Sequence, residues 1–84
     1  MKFKEELSTL LLDRLPGAKI EFKFGSESRI GGIIISQQFE GLSQLDRQRL
    51  LWEHLDSKLP EAKRQRIMAL LTMTPDEAGM ACNR

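Results

Sequence analysis

An 84-residue chain holds one hydrophobic core, because single domains usually take about 50–250 residues, and two independently folded units are excluded. With 40% hydrophobic and 30% charged residues, the composition is that of a folded globular domain and excludes disorder or a collagen repeat. Thirteen Lys and Arg against twelve Asp and Glu leave a formal charge of +1, so any basic surface must be local.

Phe3, Leu7, Leu10, Leu11 and Leu15 fall on one stripe of an amphipathic helix over residues 2–15. Pro16 cannot continue it and Gly17 suits the exit turn. From Lys19 the period becomes two, with Lys19, Glu21 and Lys23 alternating against Ile20, Phe22 and Phe24, which predicts a strand with one wet face. The turn formers Gly25-Ser26-Glu27-Ser28 lead into a second strand, Ile30 to Ile35, paired antiparallel as a hairpin and weakened locally by Gly31 and Gly32. Ser43, three residues ahead of Asp46, forms a capping-box variant that opens a second helix. Leu45, Leu51, Trp52, Leu55 and Leu59 supply its apolar stripe, and Arg49 with Glu53 has ion-pair spacing. Pro60 either ends this helix or starts a short one through Glu61-Ala62-Lys63-Arg64-Gln65. A third strand spans Ile67 to Met73. Thr74-Pro75-Asp76-Glu77 then caps a last helical turn, with residues 78–84 as a flexible tail.

The order is helix, strand, strand, helix, short helix, strand. The long helical connection before the third strand suits a right-handed crossover to a parallel neighbour. This predicts an α+β two-layer sandwich: a mixed three-stranded sheet with both long helices on the side of Ile20, Phe22 and Phe24.

Strand parity leaves large apolar side chains on the second sheet face as well. Ile33 and Ile35 oppose Ile30 and Ile34, while Met68 and Leu70 oppose Ile67, Ala69, Leu71 and Met73. Either Met80, the tail and long basic stems cover that patch, or it binds a partner or a second copy as a homo-oligomer.

Catalytic chemistry finds no support. One cysteine excludes an internal disulfide, and its tail position makes Cys82 an ordinary exposed thiol, with an intermolecular disulfide as the alternative. His54 has no second ligand near it in sequence, and the helix carboxylates Asp46, Glu53 and Asp56 have no base beside them. No P-loop, nucleophile elbow or zinc-protease motif occurs. No cofactor, metal or catalytic residue is therefore expected. Apolar runs fall short of the roughly 20 residues that span a bilayer, and the start lacks a signal core, so a cytoplasmic protein without membrane association is expected. Six basic residues, Arg47, Arg49, Lys58, Lys63, Arg64 and Arg66, outnumber four nearby acids, Asp46, Glu53, Asp56 and Glu61, a local excess that could position phosphates.

Gly25-Ser26-Glu27-Ser28, the apolar strand ending in Ser36, Phe39-Glu40-Gly41-Leu42-Ser43, the Arg47-Gln48-Arg49 triplet, and Ala69-Leu70 leading to Thr74-Pro75-Asp76-Glu77 together resemble the BolA-like family over residues 25–77. The resemblance implies a single domain over residues 1–77 with a fold similar to class II KH domains. It also implies a non-enzymatic role, as a partner of monothiol glutaredoxins in iron–sulfur handling or as a stress-linked regulator. Phe39, Glu40, Gly41, Ser43 and Met68 are the candidate partner contacts, although Phe39 and Gly41 have structural roles open to them as a core anchor and a backbone turn. The alternative is a nucleic-acid-binding transcriptional regulator using Arg47, Arg49, Lys63, Arg64 and Arg66, although the Gly-x-x-Gly loop of KH domains is not evident. Family members typically carry histidines where this chain has Gln48 and Met68, and many have a cysteine or histidine in the loop that here reads Gly25 to Arg29. Thioether, hydroxyl and carboxylate groups replace imidazole and thiolate poorly at an iron–sulfur centre, which argues against cluster ligation in the family's manner.

Overall fold

Leu7, Leu11 and Leu15 recur at intervals of four, close to one helical turn, and all three are fully buried. Leu7 and Leu11 form the inner side of α1 (Phe3–Arg14) and Leu15 is its C-cap; β1 (Lys19–Phe24) and β2 (Ile30–Ile35) follow. A 3₁₀ turn (Gln37–Phe39), α2 (Gln44–Lys58), α3 (Glu61–Arg64), β3 (Ile67–Met73) and α4 (Pro75–Cys82) complete the order. The computed structural model describes the backbone of residues 2–26 and 28–82, with side chains up to residue 79. The roles expected for Met80, the Cys82 thiol and residues 83–84 fall outside what is described.

The sheet order is β1-β2-β3, with β1 antiparallel and β3 parallel to the central β2. This is the mixed sheet that the connection lengths predict. Leu7, Leu11, Leu15, Ile30, Ile34, Leu51, Leu55 and Leu59 share one core cluster with Phe39, Ile67 and Leu70, and Ile20 and Phe22 pack against it. Gly32 lies opposite Phe22. A Cβ there would stand 2.6 Å from the Glu21 carbonyl oxygen, so this strand position admits no side chain without moving backbone.

Five local expectations are corrected. Phe24 is 69% exposed, because it borders an open cleft between the start of α1 and the β1–β2 loop instead of packing into the core. Leu45 is 60% exposed: counting back by four from Leu59, Leu55 and Leu51 reaches Arg47, and Arg47 is the buried residue of that turn. Ile67 pairs with Ile30 and Leu70 with Gly32, so β3 carries one residue more than β2 there. This bulge turns both Ile67 and Leu70 inward and breaks strict alternation. Arg49 and Glu53 form no ion pair. The last helix continues to Cys82, beyond the single turn expected, so residues 78–82 are helical rather than tail. Pro60 occupies the N-cap of α3, resolving the choice left open at that position.

Candidate functional site

The sheet face turned away from α1 and α2 carries Lys19, Glu21 and Lys23 on β1, Ile33 and Ile35 on β2, and Met68, Leu71 and Met73 on β3. Cross-strand pairing aligns Glu21 with Ile33 and Leu71, and Lys19 with Ile35 and Met73. The face is therefore a charged row beside an apolar strip. Ile33, Ile35 and Met73 are half-buried, whereas Met68 and Leu71 are 47% and 54% exposed. Met68 leans over the hairpin end of the sheet: a Cβ on Gly25 would lie 2.6 Å from its sulfur. The positions where the family resemblance places a loop ligand and a β3 histidine thus meet in space, with a glycine-rich turn and a thioether occupying them.

The other expected partner contacts divide. Phe39 is fully buried in the core, so its ring is an anchor and not a contact surface. The Ser43 hydroxyl accepts from the Asp46 N–H at 3.1 Å and serves as the cap of α2. Glu40 and Gly41 are exposed. Gly41 has φ +82°, a left-handed conformation that glycine takes without a Cβ clash.

Arg47 is committed internally. Only 5% exposed, it donates through Nε to the Leu42 carbonyl at 3.0 Å and through Nη1 to the Thr72 carbonyl at 3.5 Å. It also grips both Glu77 oxygens, at 2.8 and 3.2 Å, and lies 5.7 Å from the centre of the Phe39 ring. The Glu77 carboxyl in turn accepts from the Thr74 N–H at 2.9 Å while the Thr74 hydroxyl accepts from the Glu77 N–H at 3.1 Å, the reciprocal capping box expected of this motif. Hydrogen bonding from Arg47, then from the Thr74 backbone, together with the Arg47 charge, outweighs burial and holds Glu77 below the ordinary glutamate value. The guanidinium is therefore a strut joining α2, β3 and α4, which corrects its place among phosphate contacts.

Neighbouring side chains continue this join. Ser36 N donates to Met73 O, so parallel ladder geometry turns the Leu70 and Thr72 carbonyls toward the free edge of β3. Gln48 Nε2 reaches Leu70 O at 2.7 Å, Gln44 Nε2 reaches Thr72 O at 3.3 Å, and Gln44 accepts from the Thr72 hydroxyl at 2.6 Å. Trp52 donates to Gln48 at 3.2 Å. One turn of α2 thus covers the acceptors of an edge strand that would otherwise invite pairing. The i, i+3, i+4 spacing of Gln44, Arg47 and Gln48 was the available sequence signal for it.

Most of the expected basic cluster is also engaged. Lys63 pairs with Glu6 at 2.8 Å, and Arg64 pairs with Asp56 at 3.2 Å while capping the Leu59 carbonyl at 2.7 Å. Arg66 donates to Ser28 O at 3.1 Å and lies 4.6 Å from the Phe3 ring centre. Arg49 remains exposed, with no ion pair among the described residues. His54 Nε2 lies 3.0 Å from the Leu10 carbonyl; since a carbonyl only accepts, that nitrogen carries the proton and ties α2 to α1. Among the described residues no group of three His, Cys, Asp or Glu is arranged to hold a metal ion, and no helix is long and apolar enough to cross a membrane. An iron–sulfur cluster does not fit the donors present: the Gln48 amide is spent on Leu70 and Trp52, and Met68 offers a thioether.

No protein-family model matches the sequence, and no curated protein matches it. Solved structures do. BolA1 from Arabidopsis thaliana aligns with a TM-score of 0.74 at 19% identity, covering 92% of this chain and 96% of that one. A BolA protein homologue from Coxiella burnetii aligns at 0.68 and 23% identity, covering 88% and 92%. A bol-like protein from Babesia bovis aligns at 0.61 and 30% identity, covering 96% of this chain and 93% of its own. The first two establish the fold. The third adds sequence identity over nearly the whole of both chains, and with the motif order of residues 25–77 it establishes that the chain belongs to the BolA-like family.

Proposed function

We propose that this BolA-family chain is a non-enzymatic docking module acting through protein–protein contact, as a partner of a monothiol glutaredoxin in iron–sulfur handling or as a stress-linked regulator. The observation that carries the reading is the uncovered apolar strip of β3, where Met68 and Leu71 are 47% and 54% exposed beside the hairpin loop. Adjacent large apolar side chains left in water on a small domain favour a contact surface. Exposed Glu40 and Gly41 are further candidate contacts. The perturbed carboxyl of Glu77 is accounted for by its partner Arg47, so it offers no separate support for catalysis. With Gln48 and Met68 in place of imidazoles, the role rests on contact with the partner and not on ligands supplied by those two residues.

The test is size-exclusion chromatography of the chain mixed with a purified monothiol glutaredoxin. Co-elution is expected, and M68E with L71E should abolish it while leaving the circular dichroism spectrum unchanged. Separate elution of the wild-type proteins, or co-elution indifferent to the paired substitution, contradicts the reading. The nucleic-acid alternative through Arg47, Arg49, Lys63, Arg64 and Arg66 is weakened by the internal pairing of Arg47, Lys63 and Arg64.

A further inference from the structure

A group of positive charges without carboxylate partners borders a cleft at the start of α1. Arg47, Lys63 and Arg64 each face a carboxylate, whereas Lys2, Lys4 and Arg29, like Arg14, Lys19, Lys23, Arg49 and Lys58, have no ion-pair partner among the described residues, and Lys4 Nζ lies 5.8 Å from the centre of the Phe22 ring. Lys2, Lys4 and Arg29 meet Arg66 around this cleft, of about 570 Å³, between the start of α1 and the β1–β2 loop. Glu5 is the acid on its lining. Two aromatic rings share the cleft: Phe24, 69% exposed, and Phe3, whose ring is covered by the Arg66 guanidinium. Arg66 also holds the Ser28 carbonyl at 3.1 Å, which fixes the loop against the base of β3.

We propose that this cleft binds one nucleotide unit, its base stacked on Phe24 and its phosphate met by Lys2, Lys4 and Arg29. Every base offers a π face, so stacking on an exposed ring is sequence-tolerant, and adjacent cations answer the backbone charge. The combination selects the ligand class. A bare anion would use the cations and leave the ring in water, while an uncharged apolar molecule would leave the cations unanswered. The volume falls within the roughly 300–1,000 Å³ of small-molecule clefts. The unit is either a free nucleotide or part of a single strand, which share this chemistry. The proposal goes beyond protein docking and does not depend on it, because the ring and cations of the cleft are different side chains from the Met68–Leu71 strip, and Gly25 is the backbone position that borders both.

The test is an amide chemical-shift titration of the ¹⁵N-labelled chain with adenosine 5′-monophosphate, adenosine, inorganic phosphate and a six-residue oligothymidylate in turn. The nucleotide or the oligonucleotide should shift Ser28 and Arg29 at lower concentration than adenosine or phosphate does. Tighter binding of the oligonucleotide, weakening with salt, identifies a strand; tighter binding of the mononucleotide identifies a free nucleotide. F24A should weaken nucleotide binding about ten-fold and leave phosphate binding unchanged, and K4E with R29E should weaken both. All three residues are exposed, and the unliganded amide spectrum checks that each variant is folded. Phosphate binding as tightly as the nucleotide, F24A binding like wild type, or no shift at these amides with any probe would overturn the proposal.

Discussion

Replacing Arg47 by methionine separates its structural role from a ligand-binding one. Methionine keeps much of the buried stem volume and removes every guanidinium donor. The Leu42 carbonyl, only half-buried, then loses the Nε donor at 3.0 Å, at a cost of about 1.5 kcal/mol, the low end for a hydrogen bond from a charged group. The Thr72 carbonyl keeps Gln44 and loses the longer 3.5 Å contact, adding about 0.5 kcal/mol. The tie to α4 is lost as well, while the Glu77 side chain, 46% exposed, returns to water without being stranded. The total is about 2 kcal/mol, which lowers the melting temperature by roughly 10 °C in a domain of this length. Urea unfolding followed by Trp52 fluorescence and thermal melts followed by circular dichroism measure both quantities. R47K, which keeps charge but loses the fork, should fall between wild type and R47M. An R47M protein within about 0.5 kcal/mol of wild type would refute the strut assignment.

Glu77 has its carboxyl held below the ordinary value of 4.5 in the folded chain. Its contribution to stability is therefore complete above that value and is lost as pH falls through the lower folded one. The stability difference between wild type and E77Q should be flat from about pH 7 to pH 5 and shrink below pH 4.5 in acid-dependent urea titrations; a difference that grows on acidification contradicts the pairing. G32A should cost about 1–3 kcal/mol, since the new methyl meets the Glu21 carbonyl, and a neutral result in the same assay would show that the strands separate freely there. L51A should cost about 2–5 kcal/mol, whereas L45S should stay within about 0.5 kcal/mol because Leu45 is 60% exposed. Equal losses would place both leucines in the core.

Element type and order were legible because their signals are local. The four-residue recurrence of Leu7, Leu11 and Leu15, the alternation from Lys19 to Phe24, and the Thr74–Glu77 box each act within a few residues. The faces of β3 were less legible. A bulge is set by how two strands pair, and nothing in Ile67-Met68-Ala69-Leu70 taken alone says that Ile67 and Leu70 point the same way. Arg47 was misassigned for a related reason: its charge pointed to the surface, while its four-residue spacing from Leu51, Leu55 and Leu59 pointed to the core. Its partner Glu77 lies 30 residues further along the chain, where local pattern cannot pair them. The same long-range pairing removes Lys63 and Arg64 from the free charge that composition counts, while Lys2, Lys4 and Arg29 are among the cations left without a carboxylate.

The most direct measurement of the docking account is an amide titration of the isotope-labelled chain with an unlabelled monothiol glutaredoxin. Perturbations centred on residues 68–71 and on Gly25 and Ser26, reaching saturation and leaving the solvent-facing sides of α1 and α2 untouched, are the predicted result. A spectrum unchanged at excess partner, or changes confined to those helix surfaces, would contradict it.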